Sequence, residues 1–461
     1  MNRTGNPGRR DQASERTHRS GYRTLAFFLA FTLLISVSLP FARGETGPAG
    51  PDEAILENGS RINNRMRYLS AGNNTENWTQ TSNVKAVRMA DSLPDGFVPS
   101  EKNTVSTADS RYPVYIFFDN EEDAGIIYFY TEAGRIVMNP DSSMMFIQFP
   151  KLMDISGVAD WDASRVTSMY SMFTDAKSLP DALALRNWDT SSVTDMRFMF
   201  AGASAMTAID VSGWDTGSVT SMSNMFQVGD NWKGNGQLRE IRGLGGLDVS
   251  NVTDMTCMFY GAGKMRQYDI GGWNVSKVTS TNHMFADNVS LVALDLSRWD
   301  VSSLQTVYCM FDDCHSLKTI GDVSHWNTTS LIDAGSWLND SITFVGDVNG
   351  VLDLSGWDTS NLKSAGEMLL GTKIRVVDIS GWTFDSITND PWEGAGRGIY
   401  YEYGNGSASL CGFGQMFSTM WRLAAVYLSE DSLDSFNRAV ERGVNIQDMW
   451  LDSKCTGFTV K

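Results

Sequence analysis

The amino-acid sequence predicts an α/β repeat fold, in which short parallel strands alternate with two-turn helices. The first observation behind this prediction is a thirteen-residue block, which reads WDTSSVTDMRFMF at residues 188–200. The block begins at eight positions: Trp161, Trp188, Trp214, Leu247, Trp273, Trp299, Trp326 and Trp357. An anchor residue closes each block twelve residues later: Phe173, Phe200, Phe226, Phe259, Phe285, Phe311, Leu338 and Leu369. The spacing between blocks varies while the block length stays fixed, which is typical of stacked repeats joined by variable loops.

The apolar positions within the block have the spacing of a short helix. In the copy at residues 188–200 they fall at i, i+3, i+6 and i+7: Val193, Met196, Met199 and Phe200. Side chains at these positions share one face of a helix. Ser191 lies where a helix N-cap is needed, and Gly202 can adopt the left-handed conformation that ends a helix. Each block therefore predicts a capped helix of two turns.

The segments between blocks have a strand pattern instead. Residues 291–299 read LVALDLSRW, which places apolar residues in the order L-x-x-L-x-L before Trp299. This is the strand signature of leucine-rich repeats, with Trp where such a repeat usually carries Asn or Cys. The commonest block spacing, 26–27 residues, also fits that repeat. We therefore expect a right-handed leucine-rich-repeat solenoid of about ten rungs over residues 146–383, where one rung is one repeat.

A β-rich segment precedes the array. The aromatic runs at residues 112–118 and 126–139 predict a β-hairpin, and residues 84–89 predict a third strand. A solenoid exposes its core at the first rung and needs a dissimilar terminal unit to cover it. Residues 84–145 are therefore interpreted as an N-terminal cap.

The outermost segments have other characters. Residues 45–83 are polar and are interpreted as a linker, while residues 384–445 predict a degenerate last rung followed by a helical C-terminal cap. Residues 446–461 form a tail for which no structure is predicted. Three arginines precede the apolar run at residues 24–42, so residues 1–44 have the layout of a secretory signal peptide. An uncleaved signal anchor is the alternative, because a run of this length can just span a bilayer.

Charge and cysteine content limit the function. The net charge is −17, which disfavours binding to nucleic acid and to anionic lipid surfaces. Five cysteines leave at least one unpaired. Cys257 and Cys309 occupy the same repeat position two repeats apart, too far for a disulfide, and are interpreted as small buried apolar residues. A bridge between Cys411 and Cys455 is an open alternative.

Two sets of acidic residues recur with the repeat. The first follows the opening position of each block and contains only Asp or Asn: Asp162, Asp189, Asp215, Asp248, Asn274, Asp300, Asn327 and Asp358. This restriction favours an Asx-turn, in which the side chain accepts a hydrogen bond from a nearby backbone N–H. The second set lies in the predicted strands: Asp210, Asp269, Asp295, Asp353 and Asp378. These side chains are candidates for ligand binding on a concave strand face, and the alternative is a solvated face without a ligand.

No catalytic or metal-binding motif stands out from the repeat. The acidic stretch at residues 119–125 lacks the glycine and the final glutamate of a calcium loop, so a hairpin turn is favoured. The Gly-Lys pair at residues 263–264 lacks the spacing of a phosphate loop. No cofactor is therefore expected.

The repeat W-D-[TV]-S-x-V-T-x-M-x-x-M-F after an L-x-x-L-x-L-S strand resembles the bacterial BspA-like leucine-rich-repeat surface proteins. The resemblance covers about residues 84–430. It implies a secreted or wall-displayed adhesin without catalytic residues, whose partner is a host extracellular-matrix protein or a cell-surface glycan. The sequence differs from that family in lacking a lipid-attachment cysteine and a C-terminal sorting signal.

The leading functional expectation is thus a non-enzymatic surface adhesin, acting as a monomer, with no nucleic-acid partner and no membrane contact beyond the signal segment. One alternative is a structural surface spacer without a specific ligand. The other is a secreted glycan-active enzyme, which would need a distinct pair of carboxylates that the equivalent repeat aspartates do not supply.

Overall fold

The computed structural model describes residues 52–72, 83–229, 234–389 and 412–461. Residues 51–461 form one compact unit. Within the described ranges there are two α-helices, and they and the short strands have these bounds: β1 Glu53–Ile55, α1 Gly59–Ser70, β2 Ala86–Met89, β3 Tyr115–Asp119, β4 Ile126–Tyr130, β5 Arg135–Val137, β6 Asp181–Ala182, β7 Ala208–Asp210, β8 Glu240–Arg242, β9 Val351–Asp353, β10 Val376–Asp378, β11 Ala425–Leu428, α2 Glu430–Glu441 and β12 Thr459–Val460. Neither helix is both long and apolar enough to cross a membrane. The structure is therefore an α/β repeat fold dominated by short parallel strands.

The strands of successive repeats pair in parallel and in register. β6, β7 and β8 form one sheet, and β9, β10, β11 and β12 form another in that spatial order. Equivalent positions lie opposite each other, as Asp378 lies opposite Asp353. Before the array, β3 and β4 form the antiparallel hairpin that the aromatic runs predict, and β2 pairs in parallel with β4.

A second parallel ladder runs through the blocks themselves. It consists of single β-bridges between one residue of each repeat and the same position of the next: Asp141, Ser168, Asp195, Ser221, Asp254, Ser280, Thr306, Asp333 and Ser364. Successive repeats are thus tied together in their blocks, and several of them are also tied together in their strands. The apolar side chains between these two ladders form a single continuous core.

The predicted two-turn helices are wrong. The block folds as a series of tight turns, in which alternate N–H groups bond locally and to the next repeat. In the block closed by Phe173, the Met172 N–H donates to the Met169 carbonyl, whereas the Phe173 N–H donates to the Met199 carbonyl of the following repeat at 2.8 Å. Ser171, two residues before the anchor, has φ +53°, which no α-helix accommodates. An isolated two-turn helix is marginal in water, and hydrogen bonds between repeats replace those it would make.

The phenylalanine anchors stack along the array. Together with Phe146, which lies before the first block, the six phenylalanine anchors form an unbroken column with ring centroids 5.2–6.1 Å apart: Phe173, Phe200, Phe226, Phe259, Phe285 and Phe311. All seven are fully buried. Each ring therefore depends on the neighbouring repeats for its burial.

The tryptophans form a hydrogen-bond ladder. The indole Nε1–H of seven of them donates to a backbone carbonyl of the preceding repeat at 2.9–3.2 Å: Trp188, Trp214, Trp273, Trp299, Trp326, Trp357 and Trp382. For example, the Trp357 indole donates to the Val323 carbonyl at 2.9 Å. Trp161 opens the first block and packs on Phe129, and its Nε1 has no partner among the described residues.

The linker interpretation of residues 45–83 needs correction. This stretch contains β1, which pairs in parallel with β5, and the helix α1. The Asn63 side chain donates to the Met145 and Ile147 carbonyls, and the Arg67 guanidinium donates to the Ile147 and Gln148 carbonyls. In later repeats the carbonyls equivalent to those of Met145 and Ile147 accept hydrogen bonds from backbone N–H groups of the preceding repeat. Polar residues are therefore needed here, and their polarity made the segment resemble a linker.

The C-terminal part continues the repeat. α2 forms within the predicted helical segment, capped by the Ser429 side chain. In the tail, Met449 and Trp450 occupy the Met-Phe positions of a block, Trp450 stacks on Phe417 at 4.8 Å, and β12 pairs with β11. The predicted signal peptide lies outside the described residues. Cys411 also lies outside them, so a disulfide between Cys411 and Cys455 stays an alternative prediction.

Candidate functional site

The five aspartates predicted on the strand face share a repeat position but not one environment. Three of them are exposed: Asp269, Asp295 and Asp353. Asp210 and Asp378 are buried, with 5% and 7% of their surface exposed. The Lys461 ammonium lies 2.6 Å from Asp378, and Arg186 lies 3.9 Å from Asp210. The exposed carboxylates are thus concentrated in the middle of the array.

The strand aspartates also hold the backbone. Asp210, Asp295, Asp353 and Asp378 each accept a hydrogen bond from the N–H of the serine two residues later, at 2.9–3.1 Å. The first acidic set does the same in all eight blocks, which confirms the Asx-turn interpretation. One carboxylate oxygen is thereby fixed, and the side chain is oriented from within its own turn.

Hydrogen bonds and nearby cations favour the ionised form at Asp210, Asp295 and Asp378. Bonds from Ser297 lower the pKa of Asp295. At Asp210 burial opposes ionisation, but Ser212 and two arginines lower the pKa of this carboxyl overall. Burial likewise opposes ionisation of Asp378, where Lys461 and Ser380 bring the pKa down. These groups are fixed negative charges at neutral pH, whereas a general acid would need a raised pKa.

The strand aspartates do not form a continuous column of like charges. Arg242 lies opposite Asp210 in the next strand. Gly321 lies beside Asp295, and a Cβ built on Gly321 would come within 2.6 Å of the Asp295 carboxylate. Carboxylates in adjacent rungs would lie about 5 Å apart and repel each other. A cation or a glycine in the rung between them reduces this repulsion.

Basic residues border the same face, which the sequence reasoning missed. Arg266, Val292, Lys318 and Val345 follow one another in successive repeats, joined by backbone hydrogen bonds of 2.9–3.1 Å. Arg266 and Lys318 are exposed. Arg266 precedes Asp269 by three residues, a separation of about 10 Å along a strand. The signal was a basic residue three positions before the strand aspartate, present also at Arg375 and Asp378.

A cleft of about 670 Å³ opens in this face beside Asp353. The cleft lies at an insertion in one repeat. One residue, Thr319, lies between Lys318 and Ile320. In the next repeat the corresponding positions are Val345 and Leu352, and six residues lie between them. The extra residues form a tight turn, and β9 is left as an edge strand of its sheet. The wall residues include three carboxylates, Asp322, Asp347 and Asp353, and the apolar Val345 and Val351.

A different acidic group lies in the turns that follow the anchors. Burial raises the pKa values of Asp287, Asp312, Asp313 and Asp340, and repulsion by neighbouring carboxylates adds to this effect at Asp312 and Asp313. Asp312 accepts from the Asn339 amide at 2.8 Å, and His315 lies 3.3 Å from Asp313. Within the described parts of the chain, no group of three or more His, Cys, Asp or Glu side chains is arranged to hold a metal ion.

Comparison with known protein families identifies the family of these repeats. The family model described as "Mycoplasma protein of unknown function, DUF285" matches residues 141–241, 230–351 and 321–391. Together these matches cover residues 141–391, more than half of the 461 residues. The chain belongs to the DUF285 family. No curated protein matches the chain.

DUF285 membership is consistent with the resemblance to BspA-like repeat surface proteins. The DUF285 matches start at Asp141, the first residue of the ladder of single bridges. They include all five strand aspartates and the cleft. The candidate site therefore lies in the family's own repeats.

Proposed function

We propose that the chain is a non-enzymatic surface protein of a bacterium, secreted and displayed outside the cell, which binds a partner through the strand face of its repeats. In this proposal the repeats stack as a right-handed solenoid of about ten rungs. The β-rich N-terminal segment with α1 covers one end, and α2 belongs to a C-terminal cap.

The observation that carries the proposal is the charge layout of the strand face. Exposed carboxylates at Asp269, Asp295 and Asp353 run beside exposed cations at Arg266 and Lys318. Backbone ladders fix the spacing of both rows. Rigid charges of both signs give specificity and fast association with a complementary surface. A repeat array provides such an extended surface for partners.

The favoured partner is a protein, such as one of the host extracellular matrix. The two rows of opposite charge match a protein surface better than a uniformly sulfated polysaccharide, which the net charge of −17 repels. A neutral cell-surface glycan is the second partner class. A structural spacer without a ligand is the competing function.

The test is saturable binding of the purified chain to a panel of matrix proteins and neutral glycans. The variant carries Asp269→Asn, Asp295→Asn and Asp353→Asn together, because Asn keeps the oxygen that accepts from the turn N–H. The matched control carries Glu101→Gln, Glu121→Gln and Glu122→Gln, which removes three exposed charges elsewhere.

We expect the strand-face variant to bind its partner at least tenfold more weakly and the control variant to bind as the parent does. No saturable binding to any member of the panel would favour the spacer. Equal weakening in both variants would show that net charge, not the strand face, governs the interaction.

A further inference from the structure

We infer that the cleft between residues 318–324 and 345–353 binds an extended, arginine-bearing segment of a partner protein. This inference rests on the proposed function, since it names the chemistry that one part of the strand face recognises.

The cleft is a local opening between two repeats that touch on either side of it. At one end the Val345 N–H donates to the Lys318 carbonyl at 3.1 Å. At the other end the Trp357 indole donates to the Val323 carbonyl at 2.9 Å. Because both ends are fixed by hydrogen bonds, the opening has defined walls.

The lining combines apolar walls with carboxylates. Val345 and Val351 are half-buried, and Val348 stands fully exposed at the tip of the turn. Asp322, Asp347 and Asp353 face one lysine, Lys318, so the lining is negative overall. An arginine fits both parts, because its aliphatic stem packs on apolar side chains while its guanidinium bonds to carboxylates.

Asp322 and Asp347 are held in place and favoured in their ionised form. The Ser324 N–H donates to Asp322 at 3.0 Å and lowers the pKa of that carboxyl. Backbone N–H groups of Asn349 and Val351 donate to Asp347 at 2.8 Å and lower its pKa as well. An arginine is weakly hydrated and carries its charge at every accessible pH, so it loses less on entering such a cleft than a lysine does.

Strand addition is restricted at Val351, so side chains carry the recognition. β9 is an edge strand, which usually offers its backbone to an incoming strand. Here the Val351 N–H already donates to the Asp347 side chain, and the Val351 carbonyl accepts from the Asp347 N–H, both at 2.8 Å. The volume of about 670 Å³ exceeds one arginine side chain and lies within the usual range of ligand sites, so residues flanking the arginine also fit.

The experiment uses the full chain with isotope-labelled valine methyl groups and two peptides. One is a glycine–serine nonapeptide with a central arginine, and the other carries citrulline there, which keeps the shape and removes the charge. We expect saturable shifts of the Val345, Val348 and Val351 methyl signals with the arginine peptide, and at least tenfold weaker binding of the citrulline peptide.

Two variants locate the effect. Asp322→Asn with Asp353→Asn should weaken binding of the arginine peptide at least tenfold, whereas Glu101→Gln with Glu121→Gln, at exposed positions outside the cleft, should leave it unchanged. Equal affinity for both peptides, equal loss in both variants or no saturable shift would overturn the inference. A partner panel without a hit, together with arginine-specific shifts at the cleft, would instead overturn the proposed function and leave the cleft assignment standing.

Discussion

At the scale of single residues, polar groups in the interior are placed by the repeat and not by function. Trp takes the position where a leucine-rich repeat usually carries Asn, and its indole N–H donates to a backbone carbonyl of the preceding repeat as an amide could. The sequence shows the Trp period but not the bond, because an indole also suits a purely apolar site. Cys257 and Cys309 are buried and unpaired, as their repeat position predicts.

Asp333 provides a pH test at this scale. It is buried within the ladder of single bridges, and burial raises its pKa from 3.8 to about 6. The folded protein therefore binds a proton more tightly than the unfolded chain does. The free energy of unfolding should fall as the pH rises from about 4 to 6, by about 3 kcal/mol in total for a shift of this size.

We expect Asp333→Asn to remove this part of the pH dependence and to stabilise the protein above pH 6, with little effect near pH 4. Urea unfolding at a series of pH values measures it. Asp195→Asn is the control, since Asp195 has the same repeat position but is half-exposed and lies 2.7 Å from Arg197. A pH profile of Asp333→Asn that parallels the parent would contradict the prediction.

At the scale of elements, the strands were predictable and the blocks were not. Apolar residues at i, i+3, i+6 and i+7 fit a helix, but turns four residues apart bury nearly the same positions. A distinguishing signal lies two residues after the anchor, where φ is positive in seven of the eight blocks, as at Asp175 and Gly202. Those seven positions hold only Asp or Gly, which also fits the end of a helix, whereas the positive φ two residues before each anchor falls on residues as different as Ser171 and Phe198 and leaves no such signal.

Helix α1 is the element whose role the sequence concealed. Its Arg67 is buried, donates to the carbonyls of Ile147 and Gln148 at 2.7 and 2.8 Å, and lies over the Phe149 ring at 5.2 Å. Arg67→Ala should lower the free energy of unfolding by about 2–4 kcal/mol, because two partly buried carbonyls lose a charged donor and the packing on Phe149 is lost.

Arg61→Ala on the same helix is the matched control for α1. Its side chain is 68% exposed and lies 3.7 Å from Glu57, so its loss should cost no more than about 0.5 kcal/mol. Denaturant unfolding of both variants measures the difference. Similar costs for the two variants would mean that the hydrogen bonds from Arg67 to the Ile147 and Gln148 carbonyls do not stabilise the fold.

At the scale of the whole molecule, the repeat period could be read from the sequence, whereas the cleft could not. The long spacing from Leu338 to Trp357 indicates an insertion, but a block-by-block alignment does not show where the extra residues leave the rung. The extra residues lie just before β9. They form a turn in which the Val351 N–H donates to the Asp347 side chain, and this turn opens the strand face there. The basic border likewise appears only when the strands are laid side by side.

The energetic consequence of stacking is that each repeat is stabilised by its neighbours. Phe285 is fully buried between Phe259 and Phe311, with ring centroids 5.5 and 5.4 Å away. Phe285→Ala should cost about 3–5 kcal/mol, the usual range for a buried aromatic replaced by alanine. In a stack with nearest-neighbour coupling, this cost should be concentrated in the adjacent repeats.

Amide hydrogen exchange of Phe285→Ala separates a stack from an ordinary globular core. We expect faster exchange of the N–H groups that join the repeats containing Phe259, Phe285 and Phe311, and little change around Phe173. Phe198→Ala is the control, because Phe198 is half-buried at the edge of its turn and packs on Tyr170 at 5.9 Å. Uniformly faster exchange from Phe146 to Trp450 would show that the repeats unfold as one body, and the nearest-neighbour description would then be wrong.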